Sequence, residues 1–288
     1  MDINISIANA TKSLEGLSVG DAFGELFFRR SPYETTFDDL PETGWIWTDD
    51  THMALSIVEI LKTHHRIEQD ELAKAFAKRY KQDPHRGYAG GAHHLLSKVA
   101  LGANWRDISP TLFGNGSYGN GGAMRAAPIG GFFHDDLKRT TKEAELSAEV
   151  THSHIEGKAG AIAVAVAAAI ATNRPYPIGK DFLNAVIPYV PEGITKSRIE
   201  LAMKIPPDAI FDAMRQLGAG EKVSAQDTVP FCLWSVAYHL DNYEAALWNT
   251  AKGLGDVDTT CAIVGGIVAL SALKIPETWL QRREPLKF

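Results

Sequence analysis

The sequence has few cysteines and no excess of positive charge. Cys232 and Cys261 are its only cysteines, too few for a disulfide framework and without the spacing of a zinc site. Its 35 acidic side chains outnumber the 29 basic ones, so the formal net charge of -6 does not indicate a nucleic-acid-binding surface. A chain of this charge that binds an anionic ligand needs a local source of positive potential, such as metal ions or helix N-termini.

Long hydrophobic runs are also lacking. Residues 1–10 contain no basic region followed by an apolar run, so a secretory signal is not indicated. The longest apolar stretch, residues 159–171, is too short to cross a bilayer, and we interpret it as a buried helix. We therefore expect a cytoplasmic protein whose partners include neither a membrane nor a nucleic acid.

Strand-like alternation of apolar and polar residues is nearly absent, whereas apolar residues at helical spacing recur throughout the chain. The hydrophobic content of 45% is sufficient for one large core, and no repeat or linker divides the chain. The expected fold is all-α, a single compact multi-helix domain over residues 1–288. Helices are predicted at residues 5–23, 51–61, 68–80, 92–101, 180–190, 195–205, 208–217, 230–239, 243–254 and 261–273, with two more between 140 and 171 that are separated near 151–154.

Two acidic clusters each stand directly before a predicted helix. Residues 48–51 read Thr-Asp-Asp-Thr, and residues 256–259 read Asp-Val-Asp-Thr. Helix capping explains one acceptor at each place, but each cluster supplies two carboxylates and a hydroxyl. Neighbouring carboxylates repel one another unless a cation lies between them. If the fold brings the clusters together, their oxygens suit hard cations such as Mg²⁺, Mn²⁺ or Ca²⁺, and a binuclear site could activate water.

Glycine-rich chain lies between the clusters. Residues 114–119 match GxGxxG, but no strand precedes them, so a dinucleotide-binding βαβ unit is not predicted. Such a loop can bring backbone N–H groups to phosphate or ribose oxygens, and Asn120 could add its amide. A flexible surface loop is the alternative. Residues 86–91 form a second glycine patch, either a cleft wall or a simple connection between helices. His152 stands at a helix break, where it is either a ligand contact or structural.

Together these motifs resemble those of the ADP-ribosylglycohydrolase family, in the family's order and over residues 14 to 273. The matching segments are Gly20-Asp21-Ala22-Phe23-Gly24, Thr48-Asp49-Asp50-Thr51, Gly119-Asn120-Gly121, Ala123-Met124-Arg125, Thr151-His152 and Asp256-Val257-Asp258-Thr259. The resemblance implies an all-α fold with two Mg²⁺ or Mn²⁺ ions at the base of a cleft. The metal ligands it implies are Thr48, Asp49, Asp50, Asp256, Asp258 and Thr259, and the substrate contacts are Glu25, Gly119, Asn120, Gly121, Met124 and His152.

The activity that the resemblance implies is hydrolysis of the N- or O-glycosidic bond between ADP-ribose and an acceptor, often protein arginine. The partner would be an ADP-ribosylated protein or a small ADP-ribose derivative, and Asp49 or Asp50 would accept a proton from the attacking water. Many members carry a glutamate seven residues after the aspartate of the Gly-Asp motif, where this chain has Phe28. Glu25, about one helical turn earlier, is the candidate replacement. The departure favours an arginine or an uncharacterised acceptor over serine.

Other functions fit less well. Terpenoid synthases use a DDxxD helix, but Met53 stands where the third acid belongs. A phosphohydrolase of the HD type would need His134 and Asp135 in a helix, whereas they lie in a predicted loop. The remaining alternative is a non-catalytic, crystallin-like paralogue that binds ADP-ribose. Retention of all six oxygen-ligand positions favours catalysis.

Overall fold

The computed structural model describes residues 2–287, and every regular element in that range is a helix. Short 3₁₀ helices connect the longer elements at Leu26–Phe28, Phe37–Asp39, Ser109–Gly114, Asn120–Gly122 and Ile187–Tyr189. The α-helices are α1 (Ile3–Glu25), α2 (Asp49–His64), α3 (Gln69–Gln82), α4 (Gly90–Ala100), α5 (Trp105–Ile108), α6 (Ala127–Phe132), α7 (Leu137–Glu149), α8 (Ile155–Thr172), α9 (Lys180–Val186), α10 (Ile194–Ala202), α11 (Ile210–Leu217), α12 (Ala225–Ala237), α13 (Tyr243–Ala251), α14 (Val257–Ser271) and α15 (Glu277–Arg282).

The buried apolar side chains form one continuous core, so the prediction of an all-α fold in a single compact domain is confirmed. Two predicted helix starts are wrong, because α14 begins at Val257 rather than at Cys261 and α12 begins at Ala225 rather than at Pro230. A proline inside a helix has no N–H to donate to the carbonyl four residues earlier. Here that carbonyl, Gln226 O, accepts a hydrogen bond from the Arg198 guanidinium at 2.8 Å. The Arg198 side chain thus satisfies the carbonyl that Pro230 leaves without a helical donor.

Helix α6 was not predicted because its glycines suggested irregular chain. A Cβ built on Gly130 would lie 2.0 Å from Ala165 O on α8, so this glycine permits two helices to pack closely. Helix α8 itself is long and apolar enough to resemble a membrane span, but 83% of it is buried inside the protein. Burial of this kind is typical of a core helix, as predicted for residues 159–171. The cytoplasmic location stays a prediction.

Helices α1 and α14 pack backbone against backbone. A Cβ built on Gly16 would lie 2.5 Å from Gly265 O, one on Gly20 2.1 Å from Cys261 O, and one on Gly24 2.4 Å from Val257 O. The three glycines are spaced four residues apart and therefore share one face of α1. Their partners run in descending order, so the two helices are antiparallel. The start of α14 consequently lies beside the last turns of α1.

We predict that Gly20→Ala destabilises the protein by about 1–3 kcal/mol or more, because the added methyl group overpacks a contact with a rigid backbone carbonyl. Urea unfolding followed by circular dichroism measures the loss. Gly90→Ala is the matched control, since a Cβ there meets no atom within 4 Å and glycine is a poor helix former. Equal stability of Gly20→Ala and the unmodified protein would contradict the close packing of α1 on α14.

Candidate functional site

The structure brings the two acidic clusters together. Asp50 Oδ2 lies 3.4 Å from Thr259 Oγ1, although the two residues are 209 positions apart in the chain. One carboxylate oxygen from each of Asp21, Asp50 and Asp258 lies within 4.8 Å of the other two. The starts of α2 and α14 therefore face a common point, and α1 contributes a third side.

Asp21 holds the first turn of α2 in place. Its carboxylate accepts hydrogen bonds from the backbone N–H groups of Thr48 and Thr51, each at 3.0 Å, and from their hydroxyls at 2.9 and 2.5 Å. Thr48, the N-cap residue of α2, makes no capping bond with its own side chain. An aspartate on α1 therefore caps α2 and fixes the turn that carries Asp49 and Asp50. Sequence reasoning assigned Asp21 no role in the site, although a carboxylate inside a buried apolar run signals a bound partner.

The carboxylates crowd into a small buried volume. Burial and the charge of Asp21 raise the pKa of Asp49 to about 8, and burial raises that of Asp21 to about 6. Burial, then the charges of Asp21 and Asp258, raises the pKa of Asp50 well above its ordinary value. Burial and the charge of Asp256 do the same for Asp258. Without added positive charge, these groups cannot all be ionised together at neutral pH.

Two features of the hydrogen bonding fit a cation at this place. Asp50 Oδ1 is buried and has no hydrogen-bond partner, which is costly for a carboxylate oxygen. Thr48 Oγ1 lies 2.9 Å from Asp21 Oδ1 and 3.1 Å from Asp50 Oδ2, but its single proton can serve only one of them. All donors are carboxylate or hydroxyl oxygens, the set that hard divalent cations prefer. The residues present therefore fit a divalent cation.

A cleft of about 460 Å³ opens above the carboxylates. The glycine patch at residues 87–91 forms one wall, as one of its two interpretations predicted, and the loop at residues 117–121 forms another. The exposed rings of Phe113 and Tyr118 stand at its rim. The predicted site residues that line the cleft are Asp49, Asp50, Gly119, Asn120, Gly121, Met124, His152, Asp256, Asp258 and Thr259. Thr48 lies next to it, bonded to Asp21 and Asp50.

Asn120 uses its side chain within the site. Its amide donates to Asp256 Oδ2 at 2.6 Å and to Thr228 Oγ1 at 3.1 Å. Its backbone N–H donates to the carbonyl oxygen of Val223, another residue that lines the cleft. The amide therefore orients one of the acidic residues, a contribution that the sequence did not indicate.

The His152 ring packs closely against the glycine loop. A Cβ on Gly119 or Gly121 would approach the ring to 3.1 or 2.8 Å, so the ring and larger side chains there exclude each other. Burial and the charge of Arg125 lower the pKa of His152 to about 3, and the imidazole is neutral at physiological pH. Arg125, fully buried, was matched to the family motif but assigned no role in the site.

Glu25 is not among the residues that line the cleft. It is the last residue of α1, half-buried, and burial raises its pKa while the charge of Arg29 lowers it. Gly24 faces α14, and successive helical residues point about 100° apart, so Glu25 is directed away from the start of α14. The Phe28 side chain is 52% exposed in the following 3₁₀ helix and does not line the cleft either.

The chain is similar to known proteins over most of its length. ADP-ribosylhydrolase ARH3 of Bos taurus is 27% identical, over 97% of this chain and 89% of its own length. ADP-ribosylarginine hydrolase Tri1 of Serratia proteamaculans is 25% identical, over 96% of this chain and 75% of its own length. A solved structure described as an ADP-ribosylglycohydrolase-related protein complex shares the fold with a TM-score of 0.68 at 20% identity, covering 98% of this chain and 94% of that one. A family model for ADP-ribosylglycohydrolase matches residues 4–287, so this chain belongs to the ADP-ribosylglycohydrolase family and is a hydrolase of the glycosidase type.

Proposed function

We propose that this protein hydrolyses the glycosidic bond between ADP-ribose and an acceptor, protein arginine in particular, with the help of two Mg²⁺ or Mn²⁺ ions. The observation that carries the proposal is the convergence of two acidic clusters at the floor of a cleft. The cleft volume of about 460 Å³ falls within the range of sites for small organic ligands.

The oxygen donors at the floor are the residues that would hold the ions. Bound divalent ions orient a substrate's hydroxyl groups and lower the pKa of water. Two observations support this assignment: Asp50 Oδ1 is buried without a hydrogen-bond partner, and the Thr48 hydroxyl lies near two carboxylate oxygens but can donate to only one. The proposed ligands are Thr48, Asp49, Asp50, Asp256, Asp258 and Thr259.

Asp49 is the better placed of the two candidate proton acceptors. It lines the cleft and is partly exposed, whereas Asp50 is buried and in contact with Thr48 and Thr259. In the hydrolysis, water oxygen bonds to the anomeric carbon of the ribose, the bond to the acceptor breaks, and a proton of the water ends on the departing group. Asp49 would accept that proton and return it, which is the work of a general base and then of a general acid.

The rim of the cleft suits the nucleotide part of the ligand. The rings of Phe113 and Tyr118 are 73% and 48% exposed, and exposed aromatic rings provide faces on which a base can stack. Lys222 also lines the cleft and brings a positive charge, which favours a diphosphate. A ligand with a base at the rim and a sugar at the acidic floor matches this distribution.

Two observations support arginine as the acceptor. Among the described residues no glutamate lines the cleft: Phe28 stands where the family resemblance leads us to expect one, and the side chains of Phe28 and Glu25 both lie outside the cleft. The relative from Serratia is named as an ADP-ribosylarginine hydrolase. The same missing carboxylate also favours the second candidate, a protein that binds ADP-ribose without turning over a substrate.

Activity is the first test. With Mg²⁺ or Mn²⁺, we expect release of ADP-ribose from an ADP-ribosylated arginine peptide, measured by chromatography, and loss of this activity with EDTA. Asp49→Asn should lower kcat by about 10²–10⁴-fold, the usual contribution of a general base. Glu59→Gln is the control, because its carboxylate lies outside this cleft and pairs with Arg79.

Undiminished hydrolysis in EDTA would refute the metal requirement. Metal-dependent thermal stabilisation by ADP-ribose without turnover would identify the binding-only protein.

Acceptor preference is the second test. We expect a larger kcat/KM on arginine-linked than on serine-linked ADP-ribose, measured on matched peptides. Phe28→Glu should leave this ratio unchanged, because the side chain at position 28 does not line the cleft. Faster hydrolysis of the serine-linked peptide, or a reversal of preference by Phe28→Glu, would contradict the assignment.

Stability of the metal-free protein should fall as pH rises from 7 to 8. Folding raises the pKa of Asp49 to about 8, so the folded state keeps a proton that the unfolded state has lost, and this stabilisation disappears as pH passes the folded pKa. Each titrating group contributes up to about 1.4 kcal/mol per pH unit. His52 and His152, with pKa values of about 4 and about 3, do not titrate in this window.

Urea unfolding of EDTA-treated protein at the two pH values measures the change. Saturating Mg²⁺ should remove the fall, because ionised carboxylates then bind the cation. Asp50→Asn should make it shallower, since the variant has one fewer carboxylate near Asp49. A metal-free protein that is equally stable at both pH values would show that the carboxylates are not crowded as described.

A further inference from the structure

We propose that Arg125 and Thr151 fix His152 in the tautomer with its proton on Nε2, so that the ring donates a hydrogen bond to an oxygen of the ligand in the cleft. Arg125 and Thr151 act as positioning residues, and His152 as the binding residue. The identity of the ligand, ADP-ribose, rests on the proposed function. The direction of the hydrogen bonds rests on the protein alone.

The chain of hydrogen bonds starts at a group that can only donate. Arg125 is completely buried, and its Nη2 donates to Ser147 O at 3.1 Å and to Thr151 Oγ1 at 2.8 Å. These two acceptors use both hydrogens of Nη2. The Thr151 hydroxyl therefore receives one hydrogen bond from a cation and still has its own proton to donate.

That proton has one place to go among the described residues. Thr151 Oγ1 lies 2.7 Å from His152 Nδ1, and its other hydrogen bond is the one from Arg125. If Nδ1 carried a proton instead, the hydroxyl would accept twice and its own hydrogen would lack a partner. Donation from Thr151 to Nδ1 satisfies all three groups. A neutral imidazole that accepts at Nδ1 carries its proton on Nε2.

The protonated nitrogen lies beside the glycine loop that forms a wall of the cleft. His152 lines the cleft, and Nε2 has no hydrogen-bond partner within residues 2–287. The ring is pressed against the glycine loop, with Nε2 3.1 Å from a Cβ built on Gly119 and 3.0 Å from one built on Gly121. Arg125 Nη1 also donates to Gly121 O at 2.7 Å, so the same guanidinium positions both the loop and the ring.

The ligand group that fits is an oxygen acceptor, such as a phosphate or ribose oxygen. Nε2–H of a neutral ring can donate to such an atom and cannot accept from a donor. Burial and then the nearby charge of Arg125 disfavour an imidazolium and lower the pKa of His152. His152 thus binds as a neutral donor.

Nuclear magnetic resonance tests the tautomer directly. Protein labelled with ¹⁵N-histidine, in Mg²⁺ buffer, should show one ring with a protonated Nε2 and an unprotonated Nδ1 that is absent in His152→Gln. Thr151→Val removes the hydroxyl while retaining shape, so the ring should populate both tautomers and the Kd for ADP-ribose should rise about 2- to 10-fold, the effect of one hydrogen bond. Thr151→Ser should restore both properties. Ser153→Ala is the control, since that hydroxyl bonds Ser109 O instead.

An Nδ1–H ring in the unmodified protein would overturn the proposal, as would a Thr151→Val variant with an unchanged tautomer and unchanged affinity. Circular dichroism and the Tm show whether each variant is folded. The tautomer is measured without ligand, and its outcome is therefore separate from that of the proposed function. An Nε2–H ring whose signal does not move with ADP-ribose would overturn the donor role and the ligand assignment together, while positioning by Thr151 would stand.

Discussion

The close backbone approach of α1 and α14 is the constraint on which the site depends. Three glycines at four-residue spacing remove the side chains that would separate the helices. Because the pair is antiparallel, the start of α14 lies beside Asp21, and Asp21 in turn caps α2. One helix therefore sets the position of both acidic clusters, one by direct packing and the other by hydrogen bonds. A small displacement of α1 would move the two clusters relative to each other.

The gathering of aspartates at the floor of the cleft destabilises the folded protein in the absence of cations. Each helix start would be stabilised by one carboxylate near its N–H groups, but the fold gathers five aspartates from three elements at one point. Burial adds to their mutual repulsion and raises their pKa values. The arrangement is reasonable for a protein whose folded state binds divalent cations, since ion binding offsets both costs and links metal affinity to folding. A purely structural pair of caps would not need Asp50 Oδ1 to be buried without a partner.

Helical periodicity predicts most of the long helices, because their apolar faces recur locally in the sequence. What it cannot supply is the partner of a residue in another element. Asp21 looks like an ordinary helical residue until α2 is known to lie beside it, and the hydrogen bond of Asn120 to Asp256, at 2.6 Å, cannot be predicted from the sequence neighbours of Asn120. Pro230 resembles a helix start because the compensating Arg198 is remote in sequence. Glu25 lies about one helical turn from the position of the family glutamate, but the direction of its side chain depends on which face of α1 meets α14. The acidic clusters were detectable because each is complete within four residues.

The acidic floor of the cleft and the ring of His152 have different electrostatic requirements. The floor concentrates negative charge, and a positively charged histidine beside it would pair with a carboxylate and compete with cations. A neutral ring avoids this competition but must still bind the oxygens of an anionic ligand. Arg125 contributes to both requirements. Its charge disfavours the imidazolium, and its hydrogen bond to Thr151 makes Thr151 donate to Nδ1, so that the imidazole carries its proton on Nε2. A buried cation thereby contributes to anion binding through the polarity of a hydrogen-bond chain, without entering the ligand site itself.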